Sequence, residues 1–362
     1  MQKVIEKAGK AFLTGNEAAA WAALAAGAEI MFGYPITPQN EIMHYWTRLA
    51  PKYGRGFLQT EDEISAGFTV CGAVQAGKKA FTATAGPGNT LMQEPFSMAE
   101  AMRLPLVAII QQRGGPSSGT VIYSQQEVTL TTFGGNGEGH RIVYSTASHQ
   151  EIYDYVIKAF NTAWKYRFPT FVLGDGYQAK MREPLVMYDP EEKGMEMVKP
   201  YPLVGLEGKI GEGREPQHLC NIYSMEEELY EVVMKFAAEY EAIAPEVVEY
   251  EEKNCDDAEI LILAHGVVSR AADDAVKALR AQGIKAGYFR PITLRPFPGR
   301  QLREVIAKSG AKKMLIAESA YGQFDRLVKQ EIYGETIPIY NLFMPGVGII
   351  DYDIVNKVKS IL

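Results

Sequence analysis

Cysteine is scarce in this sequence. Cys71, Cys220 and Cys255 are the only three, they stand far apart, and no Cys-x-x-Cys occurs. Zinc and iron–sulfur cradles need thiolates at close spacing, so the chain supplies neither. A small, odd number of thiols suits a reducing cytoplasm and gives no disulfide framework. Positive charge is also short, with 37 Lys and Arg against 44 Asp and Glu and a net charge of -7. A broad nucleic-acid surface needs a basic face, so nucleic acid is not an expected partner. No apolar run is long enough to span a bilayer, and Met1 to Gly15 lacks the continuous apolar core of a signal peptide. A cytoplasmic protein without membrane partners is expected. No P-loop occurs, and the glycine-dense run Gly134 to Gly139 does not match G-x-G-x-x-G. A nucleotide-binding α/β protein is therefore disfavoured.

What is present is a globular composition, 47% hydrophobic and 22% charged over 362 residues, enough for about two domains. Short apolar runs alternate with helical periodicity from residue 14 to 180. The strands expected are Ala28 to Gly33, Gly56 to Thr60, Ala80 to Ala85, Leu106 to Gln112, Arg141 to Ser145 and Pro169 to Gly174. The helices between them start at Asn16 (as N-cap), Pro38, Glu61, Thr90 and His149. This alternation predicts a parallel sheet with helices on both faces. Residues 181–256 lose it: prolines and glycines suggest a linker or arm, followed by an acidic surface helix within Ser224 to Glu252 that breaks at Pro245. From 257 to 362 the alternation returns as a smaller α/β domain.

Polar groups gather at the ends of the first domain's strands. Tyr34-Pro35-Ile36-Thr37-Pro38 follows one, Glu61-Asp62-Glu63 the next, Thr84 and Gly86-Pro87-Gly88 the third, and Arg113 the fourth. In an open parallel sheet those carboxyl ends line one crevice, the usual ligand position. A hydroxyl, a carboxylate and a guanidinium together suit a small anion, because arginine grips a carboxylate through two hydrogen bonds. Each also has a plainer reading. Prolines are common at corners, acids in a first helical turn are favoured by the helix dipole alone, and Arg113 could be a surface residue. His44, His149 and His218 suggest local structural roles, and His140 and His265 are weak site candidates. Gly174-Asp175-Gly176 looks like the start of a Mg–diphosphate motif but lacks the asparagine pair that should follow.

Four stretches carry a resemblance. Gly33-Tyr34-Pro35-Ile36-Thr37-Pro38, Glu61-Asp62-Glu63-Ile64, Thr82-Ala83-Thr84-Ala85-Gly86-Pro87-Gly88 and Arg290-Pro291-Ile292-Thr293-Leu294-Arg295-Pro296-Phe297-Pro298 occur in this order across both domains. With them the chain resembles the α subunit of 2-oxoacid:ferredoxin (or flavodoxin) oxidoreductases, the group of pyruvate, 2-oxoglutarate and 2-oxoisovalerate enzymes. The resemblance implies a thiamine-diphosphate pyrimidine-binding domain followed by a transketolase C-terminal-like domain. It implies that Glu63 is the activating glutamate, which bonds N1′ of the aminopyrimidine and favours the imino tautomer that deprotonates C2. It implies substrate contacts for Thr37 and Arg113. Pro35, Ile36, Thr84, Gly86, Pro87 and Gly88 would line the cofactor with Glu63.

The same resemblance implies a divided enzyme. The Mg–diphosphate motif and the cluster cysteines are absent here, and the family places them on a β subunit and, in some members, on further γ and δ subunits. Thiamine diphosphate would then lie at the α–β interface, with Mg2+ and iron–sulfur clusters on the partners. CoA, a 2-oxoacid and ferredoxin or flavodoxin would be used by the complex. Two other readings fit the motifs: the β-type subunit of a lipoamide-dependent 2-oxoacid dehydrogenase, and a non-catalytic assembly subunit. Arg141, His140 and the loop from Gly114 to Gln126 are candidates for a second anion site, which a dicarboxylic 2-oxoacid would need.

Overall fold

Strands that are apolar along their whole length can only be buried on both faces, and this is how the first half of the chain folds. A computed structural model of the protein describes residues 8–204 and 219–362; His218 and residues 1–7 lie outside it. The first elements are β1 (Gly9–Thr14), α1 (Gly15–Ala25), β2 (Ile30–Gly33), α2 (Asn40–Leu49), β3 (Gly56–Gln59), α3 (Glu63–Gln75) and β4 (Ala80–Thr84). They continue with α4 (Pro87–Leu91), α5 (Gln93–Ala101), β5 (Val107–Gln112), α6 (Val128–Phe133), β6 (Ile142–Ser145), α7 (His149–Tyr166), β7 (Thr170–Asp175), α8 (Gly176–Lys180) and β8 (Arg182–Met187). Six of these strands form a parallel sheet ordered β6-β7-β5-β4-β2-β3. On one face the alanines of α1, all buried, let it lie close against α2 and α7. On the other face α3 and α5 bury Val70, Val74, Phe96 and Ala99.

The second half adds α9 (Glu226–Val247), β9 (Tyr250–Lys253), β10 (Ile260–Leu263), α10 (Val268–Arg280), β11 (Ala286–Pro291), β12 (Thr293–Arg295), α11 (Gly299–Ser309), β13 (Lys313–Glu318), α12 (Gln323–Glu331), β14 (Ile339–Phe343) and α13 (Asp351–Ile361). Its sheet runs β14-β13-β10-β11-β9, parallel except for β9. The motif from Arg290 to Pro298 connects the halves. β11 lies in the second sheet, and β12 crosses over to pair antiparallel with β6 of the first. Leu294 and Phe297 enter the same apolar core as Ala108, Phe171 and Leu261.

Several local expectations change. The cap of α1 is Thr14, which accepts from Glu17 N at 3.1 Å while Glu17 Oε2 accepts from Thr14 N at 2.7 Å. This reciprocal pair satisfies two helix-end donors and moves the start ahead of Asn16. The helix expected from Thr90 to Met102 is two, α4 and α5. Between β5 and β6, where no helix is expected, lies α6. Within the expected arm, β8 pairs antiparallel with β1, and β9 joins the second sheet. Pro245 does not break α9. It sits in the last turn, where it removes only the bond its N–H would donate to Glu241 O near the helix end, and the helix runs on to Val247.

Candidate active site

β2 leads outward to the edge strand β3, whereas β4 returns on the other side of β2. The carboxyl ends of β2 and β4 therefore flank a topological switch point, where a crevice opens. The corner after β2 is held by its own carbonyls. Tyr34 O accepts from Gln39 Nε2 at 3.0 Å, Ile36 O from Asn40 N at 3.0 Å, Pro38 O from Asn16 Nδ2 at 2.7 Å, and Thr37 O from Arg113 Nη1 at 2.8 Å. The Thr37–Pro38 peptide is cis. Pro35 is exposed, and Ile36 and Thr37 are half-buried. Asn16 spends its side chain here, which is why it is buried instead of capping α1.

The three acids expected to open one helix are separated. Asp62 caps α3 by accepting from Ser65 N at 2.7 Å, so Glu61 and Asp62 precede the helix and Glu63 alone is in its first turn. Glu61 is exposed; Glu63 is 5% exposed. Thr60 ties this start to the corner, donating from its N to Gly33 O at 3.1 Å and from its hydroxyl to Asp62 O at 2.8 Å. Burial raises the Glu63 pKa, with Asp62 adding to the rise and Arg113 opposing it.

The turn after β4 presses on both side chains. A Cβ at Gly88 would collide with Thr84 Oγ1 and lie 2.7 Å from Glu63 Oε1, so Gly88 brings backbone up to the carboxylate. Thr84 Oγ1 is buried without a hydrogen-bond partner. Gly86 has φ +51, and a Cβ there would lie 2.5 Å from Arg113 Nε. Arg113 is 8% exposed, and its Nε is buried without a partner. Thr37, Glu63, Thr84, Gly86, Gly88 and Arg113 thus form one contiguous cluster at the carboxyl ends of β2, β4 and β5. On the elements around it Leu58, Ile64, Phe68 and Leu91 are exposed large apolar side chains.

One residue at this site had no signal in the sequence. Glu127 lies just before α6, in the stretch without periodicity, and is fully buried. Its Oε1 accepts from Gly86 N and from Arg113 N, each at 2.8 Å, and its Oε2 from Asn89 Nδ2 at 2.9 Å. Burial raises its pKa against these three bonds and the Arg113 charge.

Other candidates are placed elsewhere. Arg141 precedes β6, at the amino ends of the parallel strands, opposite the crevice, and is 1% exposed. Its guanidinium is committed to Gln93 Oε1 at 3.0 Å and Gly134 O at 2.7 Å, with Glu100 3.7 Å away. It cannot form a second anion site in the crevice, and His140, packed on Tyr240 beside it, cannot either. His265 is wholly buried, which pushes its ring down to about 3, and Ser145 Oγ lies 3.0 Å from its Nδ1. His149 lies between Glu183 and Met181 O. Asp175, in the misleading Gly-Asp-Gly, caps α8 by accepting from Gln178 N at 2.9 Å. The loop from Gly114 to Gln126 leaves the crevice and is anchored to the second half through Gln125. Among the described residues no group of three or more His, Cys, Asp or Glu could hold a metal, and no helix is long and apolar enough to cross a membrane.

Residues 21–252 match the family "Pyruvate flavodoxin/ferredoxin oxidoreductase, thiamine diP-bdg", and residues 258–352 match "Pyruvate:ferredoxin oxidoreductase core domain II". The chain belongs to this family. It is 37% identical over 333 residues to the 2-oxoglutarate synthase subunit KorA of Methanocaldococcus jannaschii, covering 86% of this chain and 89% of that one. It is 36% identical over 351 residues to the ketoisovalerate oxidoreductase subunit VorB of Methanothermobacter marburgensis, covering 96% of each. Among solved structures, 2-oxoglutarate:ferredoxin oxidoreductase from Magnetococcus marinus, with 2-oxoglutarate, coenzyme A and succinyl-CoA bound, superimposes with a TM-score of 0.85 at 26% identity. That match covers 97% of this chain and 65% of the other. A split-gene transketolase in an inactive β4 tetramer shares the fold, with a TM-score of 0.57 at 14% identity. The expected thiamine-diphosphate fold is the fold of this oxidoreductase subunit.

Proposed function

We propose that this chain is the α subunit of a thiamine-diphosphate-dependent 2-oxoacid:ferredoxin oxidoreductase and carries half of the active site. The complex decarboxylates a 2-oxoacid oxidatively, forms its acyl-CoA and passes electrons to ferredoxin or flavodoxin. The observation that carries this reading is Glu63, a buried carboxyl with a raised pKa, set against Gly88 and the unpartnered Thr84 hydroxyl at the switch-point crevice. These residues fit the aminopyrimidine end of thiamine diphosphate. The Glu63 carboxyl would hydrogen-bond a ring nitrogen, with Thr84 and the side-chain-free Gly88 packed against it to hold it in place. When bound, the cofactor supplies the electron sink for decarboxylation.

The chain's own groups do the rest on its side. Glu63 would hold and release a proton at its carboxyl, which burial makes easier to keep. Arg113 has Nη1 fixed on Thr37 O, and its unpartnered Nε faces the turn at Gly86. The remaining N–H groups of the guanidinium are left to bind the substrate carboxylate, next to Thr37. Pro35, Ile36 and Pro87 wall the same crevice. A β subunit with the Mg–diphosphate motif closes the site over Ile64, Phe68 and Leu91, and iron–sulfur clusters sit on partner chains. Separate γ and δ subunits fit the same scheme.

The test uses the complex purified with its partner subunits, assayed on a panel of 2-oxoacids with CoA and ferredoxin. Glu63→Gln is expected to lower turnover about 10²–10⁴-fold, as for loss of a key acid–base group. Nearly intact turnover would leave the chain a non-catalytic assembly subunit. Reduction of a lipoyl domain in place of ferredoxin would assign it to the lipoamide-dependent class.

A further inference from the structure

We infer that Glu127 is the positioning residue of the substrate clamp: its carboxylate locks the Gly86 turn to the backbone of Arg113 and thereby aims the guanidinium. This rests on the reading of Arg113 as the group that binds the substrate carboxylate. A single oxygen, Glu127 Oε1, accepts from both Gly86 N and Arg113 N at 2.8 Å. The turn after β4 and the end of β5 are therefore pinned to one atom. Gly86 lies directly under the arginine side chain, where a Cβ would be 2.5 Å from Nε. With its backbone fixed at N and its tip fixed on Thr37 O, Arg113 has little freedom left.

Glu127 is itself held in place by a chain of amides. Asn89 Nδ2 donates to Glu127 Oε2 at 2.9 Å and to Thr131 Oγ1 at 3.2 Å, and Asn89 Oδ1 accepts from Gln93 Nε2 at 2.9 Å. Gln93 Oε1 in turn accepts from Arg141 Nη1 at 3.0 Å. Gly86 N, Arg113 N and Asn89 Nδ2 all donate to the Glu127 carboxylate, and the side-chain donors along this row all point toward it. A side chain that must accept on both oxygens has to be a carboxylate, because an amide would set a donor against a donor. The Arg113 charge favours the carboxylate form, against the burial that disfavours it. Glu127 itself is buried, and its bonded partners Gly86 and Arg113 are the residues that face the site, so it acts through Arg113.

The polarity of the row gives the experiment. Glu127→Gln faces its NH₂ toward the NH₂ of Asn89, or toward the two backbone amides if it flips. Glu127→Asp keeps the charge but is one methylene too short to hold both amides. Asn89→Asp combined with Glu127→Gln reverses the pair: the new amide donates to the new carboxylate, still accepts from Gly86 N and Arg113 N, and the buried charge count is unchanged. In the complex purified with its partners, each single change is expected to raise the 2-oxoacid KM about tenfold or more with a smaller change in kcat, since a clamp is displaced by a fraction of an ångström. The reversed pair is expected to bring KM back to within about threefold of the native value. If the single variants fail to assemble, the reversed pair decides alone: an assembled complex with a native-like KM supports the inference, and one with a KM raised as far as that of Arg113→Lys overturns it. Single variants that assemble and lose thermal stability while KM and kcat stay native also overturn it, leaving Glu127 a structural residue. Native complex that turns over no 2-oxoacid would instead sink the functional reading itself.

Discussion

Arg113 reaches across 76 positions of sequence to donate from Nη1 to the carbonyl of Thr37, 2.8 Å away. The bond joins the end of β5 to the corner after β2, the two walls of the crevice. It uses the threonine's backbone, not its hydroxyl. Thr37→Val should therefore leave the arginine in place and remove only the hydroxyl. On the proposed function kcat/KM falls about 10- to 150-fold, the cost of one hydrogen bond to a charged group. Steady-state kinetics across several 2-oxoacids measure this, and unchanged values for all of them would make the corner a turn and nothing more.

Arg113→Lys keeps the charge but loses the planar fork. A lysine that holds Thr37 O has no second rigid donor for the substrate. The expected loss in kcat/KM is about 10²–10³-fold, most of it in KM, as for truncating a buried charge pair. A loss confined to kcat would mean that Arg113 does not bind the ground-state carboxylate.

Gly88→Ala tests how tightly the turn is built. The new methyl would collide with Thr84 Oγ1 and crowd Glu63 Oε1. Overpacking of this kind costs about 1–3 kcal/mol. Because the carboxylate moves, thiamine diphosphate affinity in the assembled complex should fall with stability. Calorimetric melting with and without the cofactor separates the two, and a variant that melts lower yet binds the cofactor normally would place Gly88 outside the cofactor site.

The elements that could be read from sequence are those with a strong local signal. The fully apolar strands β5 and β7 and the amphipathic α7 fall where their patterns put them, because burial on two faces or on one is written in the residues themselves. The crevice was legible because strand ends are, and Thr37, Glu63, Thr84 and Arg113 each follow one. What could not be read depends on long-range partners. Asn16 looks like a cap, but Thr14 and Glu17 make a better one and free Asn16 to hold Pro38 O. β1 and β8 are exposed on alternate residues and pair only with each other, so neither looks like a strand alone. Arg141 follows a glycine-rich loop, as a ligand-binding arginine can, but it precedes its strand and so faces the wrong edge. Glu127 has no pattern around it at all; only the fold brings Gly86 and Arg113 to its oxygen.

Gln125 anchors the loop beyond Arg113 to the second half of the chain. Its N donates to Ser319 O at 2.9 Å, its Oε1 accepts from Ser319 N at 3.0 Å, and its Nε2 donates to His265 O at 2.8 Å. Gln125→Ala leaves the Ser319 N–H and the His265 carbonyl buried without these partners, at a cost of about 1–3 kcal/mol for each unsatisfied group. Hydrogen exchange should rise in the loop from Gly114 to Gln126 and at Ser319 while the sheet core stays protected. Faster exchange throughout would show that the change unfolds the whole chain, not just the latch.

Glu183 makes acid stability a local question. Burial pushes its carboxyl up, but bonds from His149 and Arg270 outweigh this and hold it at about 2. His149 Nδ1 lies 2.8 Å from Glu183 Oε2, and Arg270 of α10 pairs with Oε1. A carboxyl lowered in the folded state stabilises above its unfolded value of about 4.3 and loses that contribution as pH falls toward 2. Native protein should therefore lose melting temperature steadily below about pH 4.5. Glu183→Gln should melt lower at pH 7, by about 1–3 kcal/mol of stability, since His149 and Arg270 lose a charged acceptor. Its melting temperature should then depend less on pH between pH 5 and the acid limit than that of the native chain, and a parallel pair of curves would assign the acid sensitivity to other carboxylates.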